Sequence, residues 1–430
     1  MPYTLLAGDF VIARLDRPAD GPEPDGDTIR FVPRSPRLVD QLPRQDVGPD
    51  WRIIDGVPQV NVRFEAIDTL ETHFQGSHQP LGPAYAARDR MIELMGFGAV
   101  TFLPTNPNKV ATVEHHPVAG YVLSNGIDGN GRVIGFVQPG APPFPDGAVL
   151  RIDGDQVDAS VNAALLAEGL GYPIFYTSLP AGLREHLRPS VVMARYGRAG
   201  LWASSSGDPS GPPADVADLA ALEAAVIWPK LYRRLHEFFA SGRRDLAQFD
   251  GWLRGTKDDR IMALDVGIPG RLLPGEIGHL HDVVTVDAAA GTVRLELHAE
   301  QFVILEGTAE PSEPTVPVAL SDLRIVAAVV NPAGDDRGGE TVTVLNAGAE
   351  AADLTGWSLT DARGTASEPL PARALPAGDA LRCAVPRLQL GNAGDTVLLV
   401  GPDGTLGDRV TYVADDARTP GVSLTFARGT

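Results

Sequence analysis

The sequence predicts a multidomain, mainly β protein with interspersed helices. A small five-stranded barrel comes first, then a helix-plus-small-β segment, then a C-terminal β-sandwich. Three observations carry that expectation. Alternating apolar and polar runs are interleaved with helical periods through residues 1–203. Two Ser/Gly/Pro-rich or Pro-rich stretches, SSSGDPSGPPAD at 204–215 and PSEPTVP at 311–317, punctuate the chain as linkers. From 318 onward short alternating runs are separated by turn residues.

Composition sets the bounds. A chain of 430 residues has room for two to four domains, and 43% hydrophobic with 21% charged residues is ordinary for globular protein. No apolar run approaches the ~20 residues a membrane span needs. The opening MPYTLLAGDFVIARLD has no basic stretch and carries Asp9, so no signal peptide is expected. That points to the cytoplasm, with export by a non-classical route as the alternative. One cysteine, Cys383, excludes an intramolecular disulfide and argues against a cysteine-based zinc site. With 36 basic against 55 acidic side chains, the net charge of −19 argues against broad coating of nucleic acid. A local basic cleft stays open.

In order, YTLLAGDFVIARL and DTIRFV read as two strands, with a turn signal at Asp25-Gly26. Residues 32–58 have no clear period and read as a surface insertion. VNVRF then alternates as a half-buried strand and runs into the polar stretch RFEAIDTLE at 63–71. GPAYAARDRMIELMGFG reads as a helix opened by Gly82-Pro83 and closed by Gly96 or Gly98. Strands follow at 99–104 and 110–114, then a hairpin of AGYVLSN and RVIGFVQ around GIDGNG. A second insertion covers 139–157, a helix ends at Gly169, and a last helix runs from Ala181 to Gly197. Five strands interleaved with helices in this order suit a partly open barrel of the OB type.

Beyond the first linker, VADLAALEAAVIWPKLYRRLHEFFASG reads as an amphipathic helix bent at Pro229, with Leu231, Leu235 and Phe238 on one stripe. Arg233, Arg234, Arg243 and Arg244 cluster near its end, and a solvated face is the expected reading. Residues 261–305 suggest a small β unit of no evident role. His279 and His281 in GHLHD would share one face of a strand; with no third ligand in view, ordinary polar histidines are expected. ETVTVLN, DTVLLV and RVTYV, with turns at Asn346, Pro402 and Gly404, indicate the sandwich.

The chemistry-bearing residues fall in three short pieces: DGDT at 25–28, RFEAIDTLE at 63–71 and DGNGR at 128–132. Two carboxylates and a main-chain carbonyl make a plausible Ca²⁺ site, because Ca²⁺ prefers oxygen ligands and tolerates irregular geometry. Two arginines beside it suit phosphoryl chemistry, whose transition state spreads negative charge that fixed donors stabilise. A further carboxylate, Glu71, is placed to activate a water.

This pattern resembles the staphylococcal nuclease-like (thermonuclease) family over residues 1–203: DGDT, then Arg-x4-Asp-x2-Glu, then Gly-Arg on the next hairpin. GPAYAAR, VNAALLAEGL and the closing GLW follow the family in order and spacing. The resemblance implies Asp27 and Asp68 as calcium ligands with Thr69 offering its carbonyl. It implies Glu71 as general base, and Arg63 and Arg132 as clamps on the phosphate and transition state. The implied reaction is hydrolysis of DNA and RNA leaving 3′-phosphates. The chain departs from the family where its proline before the glutamate is Leu70, and where the hairpin's Lys-Tyr pair is Gly129-Asn130. Phe175 and Tyr176 lie where family aromatics stack on bases, with core packing the competing reading. ETVTVLNAG, DLTGWSLTD, LPAGD and LGNAGDTVLLVGPDG resemble a lamin-tail domain, which implies an immunoglobulin-like sandwich serving as a binding or localisation module for a protein partner. Trp357 is then expected in its core.

Overall fold

The structure, a computed structural model, describes residues 3–44, 47–306, 321–333, 338–361, 366–388, 390–392, 394–402, 406–413 and 416–426. The linker expected at 311–317 and the turn at Gly404 lie outside them. The chain divides into two compact units: Met1–Asp259 with Val284–Thr308, and Arg260–Val283 with Ala309–Thr430.

The first unit is built on five strands: β1 (Tyr3–Val11), β2 (Thr28–Pro33), β3 (Val57–Phe64), β4 (Val118–Ile127) and β5 (Val133–Pro139). They pair in the order β1-β2-β3-β5-β4 and β4 returns to β1, so the sheet closes into a barrel. Closure removes the open edges that an isolated five-stranded sheet would expose. All neighbours are antiparallel except β3 and β5, which run parallel with Arg63 opposite Ile134. Phe10, Phe31, Val62, Phe64 and Val122 share one face of the sheet and Leu5 and Phe136 the other, and all seven are almost fully buried.

Helix α1 (Leu81–Met95) buries Ala84, Ala87, Met91 and Met95, at the spacing that aligns side chains on one helical face. It stops at Gly96, whose φ of 83° is the left-handed cap that glycine adopts without a Cβ penalty. Helices α2 (Val161–Ala167) and α3 (Ala181–Tyr196) complete the layer, as the pattern anticipated. The two insertions are partly ordered. The first carries a short helix at Pro36–Asp40 and a strand, Arg52–Ile54, that pairs with β3. The second places Val149–Leu150 on β1 and starts a helix with an Asp153/Gln156 capping box.

The single bent helix expected after residue 216 is two helices, α4 (Leu219–Ala224) and α5 (Pro229–Ala240). Pro229 opens α5, where its missing N–H costs nothing. Leu231, Leu235 and Phe238 form the buried stripe, and Phe238 packs edge-on against Phe249 and Trp252. Four side-chain contacts tie the segment to the barrel's helical side: Trp228 Nε1 to the Pro173 carbonyl at 3.3 Å, Gln79 to the Ile227 carbonyl at 2.9 Å, and Ser77 to Glu223 and Tyr232 at 2.5 and 2.7 Å. Residues 204–215 are anchored too, with the Ser205 hydroxyl 2.7 Å from that of Tyr172 and Asp208 buried.

The second unit holds two four-stranded antiparallel sheets. One runs Ala380–Ala384, Thr341–Asn346, Leu323–Val329, Leu424–Thr425; the other runs Ser367–Pro369, Ser358–Asp361, Gly394–Val400, Leu406–Val413. Ile325, Val342, Val344, Leu359, Val397 and Leu399 share one core, against which Trp357 packs half-buried. Gly407 leaves the room: a Cβ there would lie 2.2 Å from the Trp357 ring. A hairpin of Arg260–Ala263 and Ile277–His279 belongs to the same unit. His279 ends that hairpin while His281 lies in the next 3-10 turn, their rings stacked at 5.6 Å. They therefore do not share a strand face as expected.

Candidate functional site

Strand register brings the three motif pieces together. β2 and β3 pair with Thr28 opposite Arg63, so the DGDT turn sits at the end of the strand that delivers RFEAIDTLE. The Phe64 amide donates to the Asp27 carbonyl at 2.8 Å and locks that junction. Gly26 must be glycine here, because a Cβ would come within 2.7 Å of the Thr69 side chain and 2.8 Å of the Ala87 Cβ. Past β3 the chain turns through Ala66, and Ile67–Asp68 pairs with Tyr172–Pro173, which fixes Asp68. The parallel β3–β5 pairing carries the tip of the β4–β5 hairpin, with Asp128 and Arg132, to the same end of the barrel.

Asp27, Arg63, Asp68, Thr69, Glu71 and Arg132 all line one cavity of about 550 Å³. Asp27 Oδ2 accepts the Thr69 amide at 2.9 Å, and its other oxygen accepts the Thr28 hydroxyl at 3.1 Å. Arg63 comes within 3.9 Å of Asp68 and lies over the Tyr176 ring at 5.0 Å. Arg132 is held by Asp128 through two charge-assisted bonds of 2.8 Å, which aim its guanidinium into the cavity rim. Asp25, read from the sequence only as a turn residue, also lines the cavity. Among the described residues, none from either insertion lines the cavity.

The electrostatics are those of carboxylates crowded away from water. Burial, then the charge of Asp68, pushes Asp27 above the ordinary aspartate range despite Arg63. Burial followed by Asp27 and Glu71 pushes Asp25 well above it. Glu71 rises to about 7 because burial and Asp68 outweigh the pull of Arg233. Burial opposes ionisation of Tyr176, yet Arg63 and Lys230 bring its phenol below the ordinary value.

No family model matches the chain. No curated protein matches it either.

What sequence reasoning missed is the part α5 plays in the cavity. Its Arg233 reaches into the cavity and forks onto Asp68, Nη2 to Oδ2 at 2.8 Å and Nη1 to Oδ1 at 3.2 Å; Nη1 also bonds Glu71. Lys230 and Arg234 flank it, both paired with Asp259 at 2.9 and 2.8 Å. The solvated face expected for Arg233 and Arg234 is thus a wall of the cavity. The planar guanidinium fork, bonded to both Asp68 oxygens and to one of Glu71, offsets part of the cost of taking its charge out of water. Tyr176 belongs to the site as a platform under Arg63 and Lys230, while Phe175 is buried in the core.

The donor set suits a hard cation. Asp27, Asp68 and the Thr69 carbonyl would each offer oxygen, and burial, then the charge of Asp68, raises the Asp27 carboxyl. Among the described residues no helix is long and apolar enough to cross a membrane.

Proposed function

We propose that the first unit is a calcium-dependent nuclease that hydrolyses phosphodiester bonds of DNA or RNA with low sequence specificity. Its closed barrel would be of the OB type, as in the staphylococcal nuclease-like proteins its motifs resemble. The observation that carries this reading is convergence. Six residues from three separate stretches, chosen for phosphoryl chemistry, line a single cavity. Asp27, Asp68 and the Thr69 carbonyl would hold the ion, which when bound polarises a phosphoryl oxygen. Arg63 and Arg132 would grip the other phosphate oxygens and meet the charge that builds on them. Glu71, raised to about 7, suits a group that takes a proton from water near neutral pH. The second unit, read as a lamin-tail-like immunoglobulin-type sandwich, would serve as a binding or localisation module for a protein partner.

One observation favours a second reading, a latent or non-catalytic scaffold: Arg233 occupies oxygens of both Asp68 and Glu71. Digestion of single- and double-stranded DNA and of RNA separates the two. Wild type and Glu71→Gln are compared in Ca²⁺, Mg²⁺ and chelator. Calcium-dependent cleavage that disappears in Glu71→Gln supports the nuclease; no cleavage by wild type under any condition supports the scaffold.

A further inference from the structure

Arg233 is delivered to the site by a helix that has little freedom to turn. Tyr232, beside it, is tied to Ser77 at 2.7 Å, and Trp228, at the head of α5, to the Pro173 carbonyl at 3.3 Å. Leu231 and Leu235 are fully buried, and Lys230 and Arg234 are both committed to Asp259. These constraints fix the helix about its axis and leave Arg233 aimed at Asp68 and Glu71. Both Asp68 oxygens and one Glu71 oxygen are taken by this one guanidinium, so a cation that needs them must displace it.

We propose that Arg233 is the resident counter-cation of this site. It neutralises Asp68 and Glu71 before metal binds, competes with a divalent cation for the Asp68 oxygens, and thereby sets the metal affinity of the centre. The inference rests on the reading of Asp27 and Asp68 as metal ligands. Both Asp68 oxygens already accept from Arg233, and Ca²⁺ bonds carboxylate oxygen at about 2.3–2.6 Å. A divalent ion drawn that close would meet a guanidinium on the same carboxylate, and the like charges repel. Metal entry therefore requires the fork to open. By linkage, whatever free energy the fork contributes is subtracted from metal binding. Arg233 acts here as a positioning residue.

The test is calorimetric titration of Ca²⁺ into the full chain, comparing wild type with Arg233→Gln and Arg233→Lys, with Asp68→Asn as the site control. Arg233→Gln should bind at least about tenfold more tightly, because a bidentate charged contact of this kind is lost. Lysine, a point charge without the fork, should fall between the two. Without metal, Arg233→Gln should melt below wild type, since two buried carboxylates lose their partner, and saturating Ca²⁺ should narrow the gap. Equal or weaker binding by both variants would overturn the competition while leaving the metal site standing. No binding by wild type or either variant would remove the metal reading itself, and this inference with it. Should Arg233→Gln fail to fold, the lysine variant alone decides.

Discussion

Glu65→Gln isolates the electrostatic cost of the ground beneath the site. Glu65 follows Arg63 and Phe64, is 2% exposed, and one of its carboxylate oxygens has no hydrogen-bond partner. Burial, then repulsion from Glu306, raises its carboxyl from the ordinary 4.5 to about 7, against the pull of Arg63 and Asn125. In the unfolded chain the group ionises through 4.5; in the fold it keeps its proton until about 7. Its protonated form is thus the one the fold favours. The contribution is fully present below 4.5 and is lost as pH rises through about 7. The difference between 4.5 and about 7 corresponds to roughly 3 kcal/mol at most. Glutamine keeps the shape and cannot ionise. At about pH 8 the variant should therefore melt higher by ~5 °C or more in the transition of the first unit, and near the acid end by little. Scanning calorimetry of wild type and variant at both pH values reads this directly. A gain of equal size at both, or a loss at the higher pH, would refute the assignment of a buried, unwelcome charge.

Other outcomes follow from the site itself. Arg63→Ala or Arg132→Ala should lower the rate of phosphodiester cleavage at least ~100-fold, the usual consequence of removing one transition-state donor; turnover at the wild-type level in either variant would end that residue's assigned role. Gly26→Ala should cost about 1–3 kcal/mol of stability by forcing the DGDT turn away from Thr69 and Ala87, and chemical denaturation measures it. The rate should fall on the acid side as Glu71, at about 7 in the metal-free protein, takes up its proton. Added positive charge favours the carboxylate, so the midpoint of that fall should move to lower pH as calcium is raised; initial rates across pH at high and low calcium check both parts.

What could be read from the sequence was local. The barrel strands declared themselves through alternation, α1 through its period and Gly96, and the six cavity-lining residues lie in three short motifs that strand register brings together. Arg233 had no such signature. Its partners lie 165 and 162 positions earlier in the chain, and a basic residue on an amphipathic helix has the same local pattern whether it meets water or carboxylate. The apolar stripe of Leu231, Leu235 and Phe238 showed which face of α5 is buried, but not what the adjoining rim would touch. The break between α4 and α5 was visible as Pro229, and Trp228 within it bonds the Pro173 carbonyl. His279 and His281 failed as a strand pair because the strand ends between them, and element boundaries are the weakest part of periodicity arguments.

The ties between the barrel and the segment after residue 204 also bear on how the protein can be dissected. Tyr172 shares a hydrogen bond with Ser205, Gln79 reaches the Ile227 carbonyl, and the amide of Ile304 bonds the carbonyl of Phe175. A fragment cut at the closing GLW would keep all six motif residues. It would also bare the aromatic and polar groups that those later residues now cover, beside the loop that carries Glu71. Such a fragment would test a different object: motifs intact, with their supports withdrawn. The piece worth isolating is discontinuous in sequence, and a single truncation after residue 203 cannot produce it.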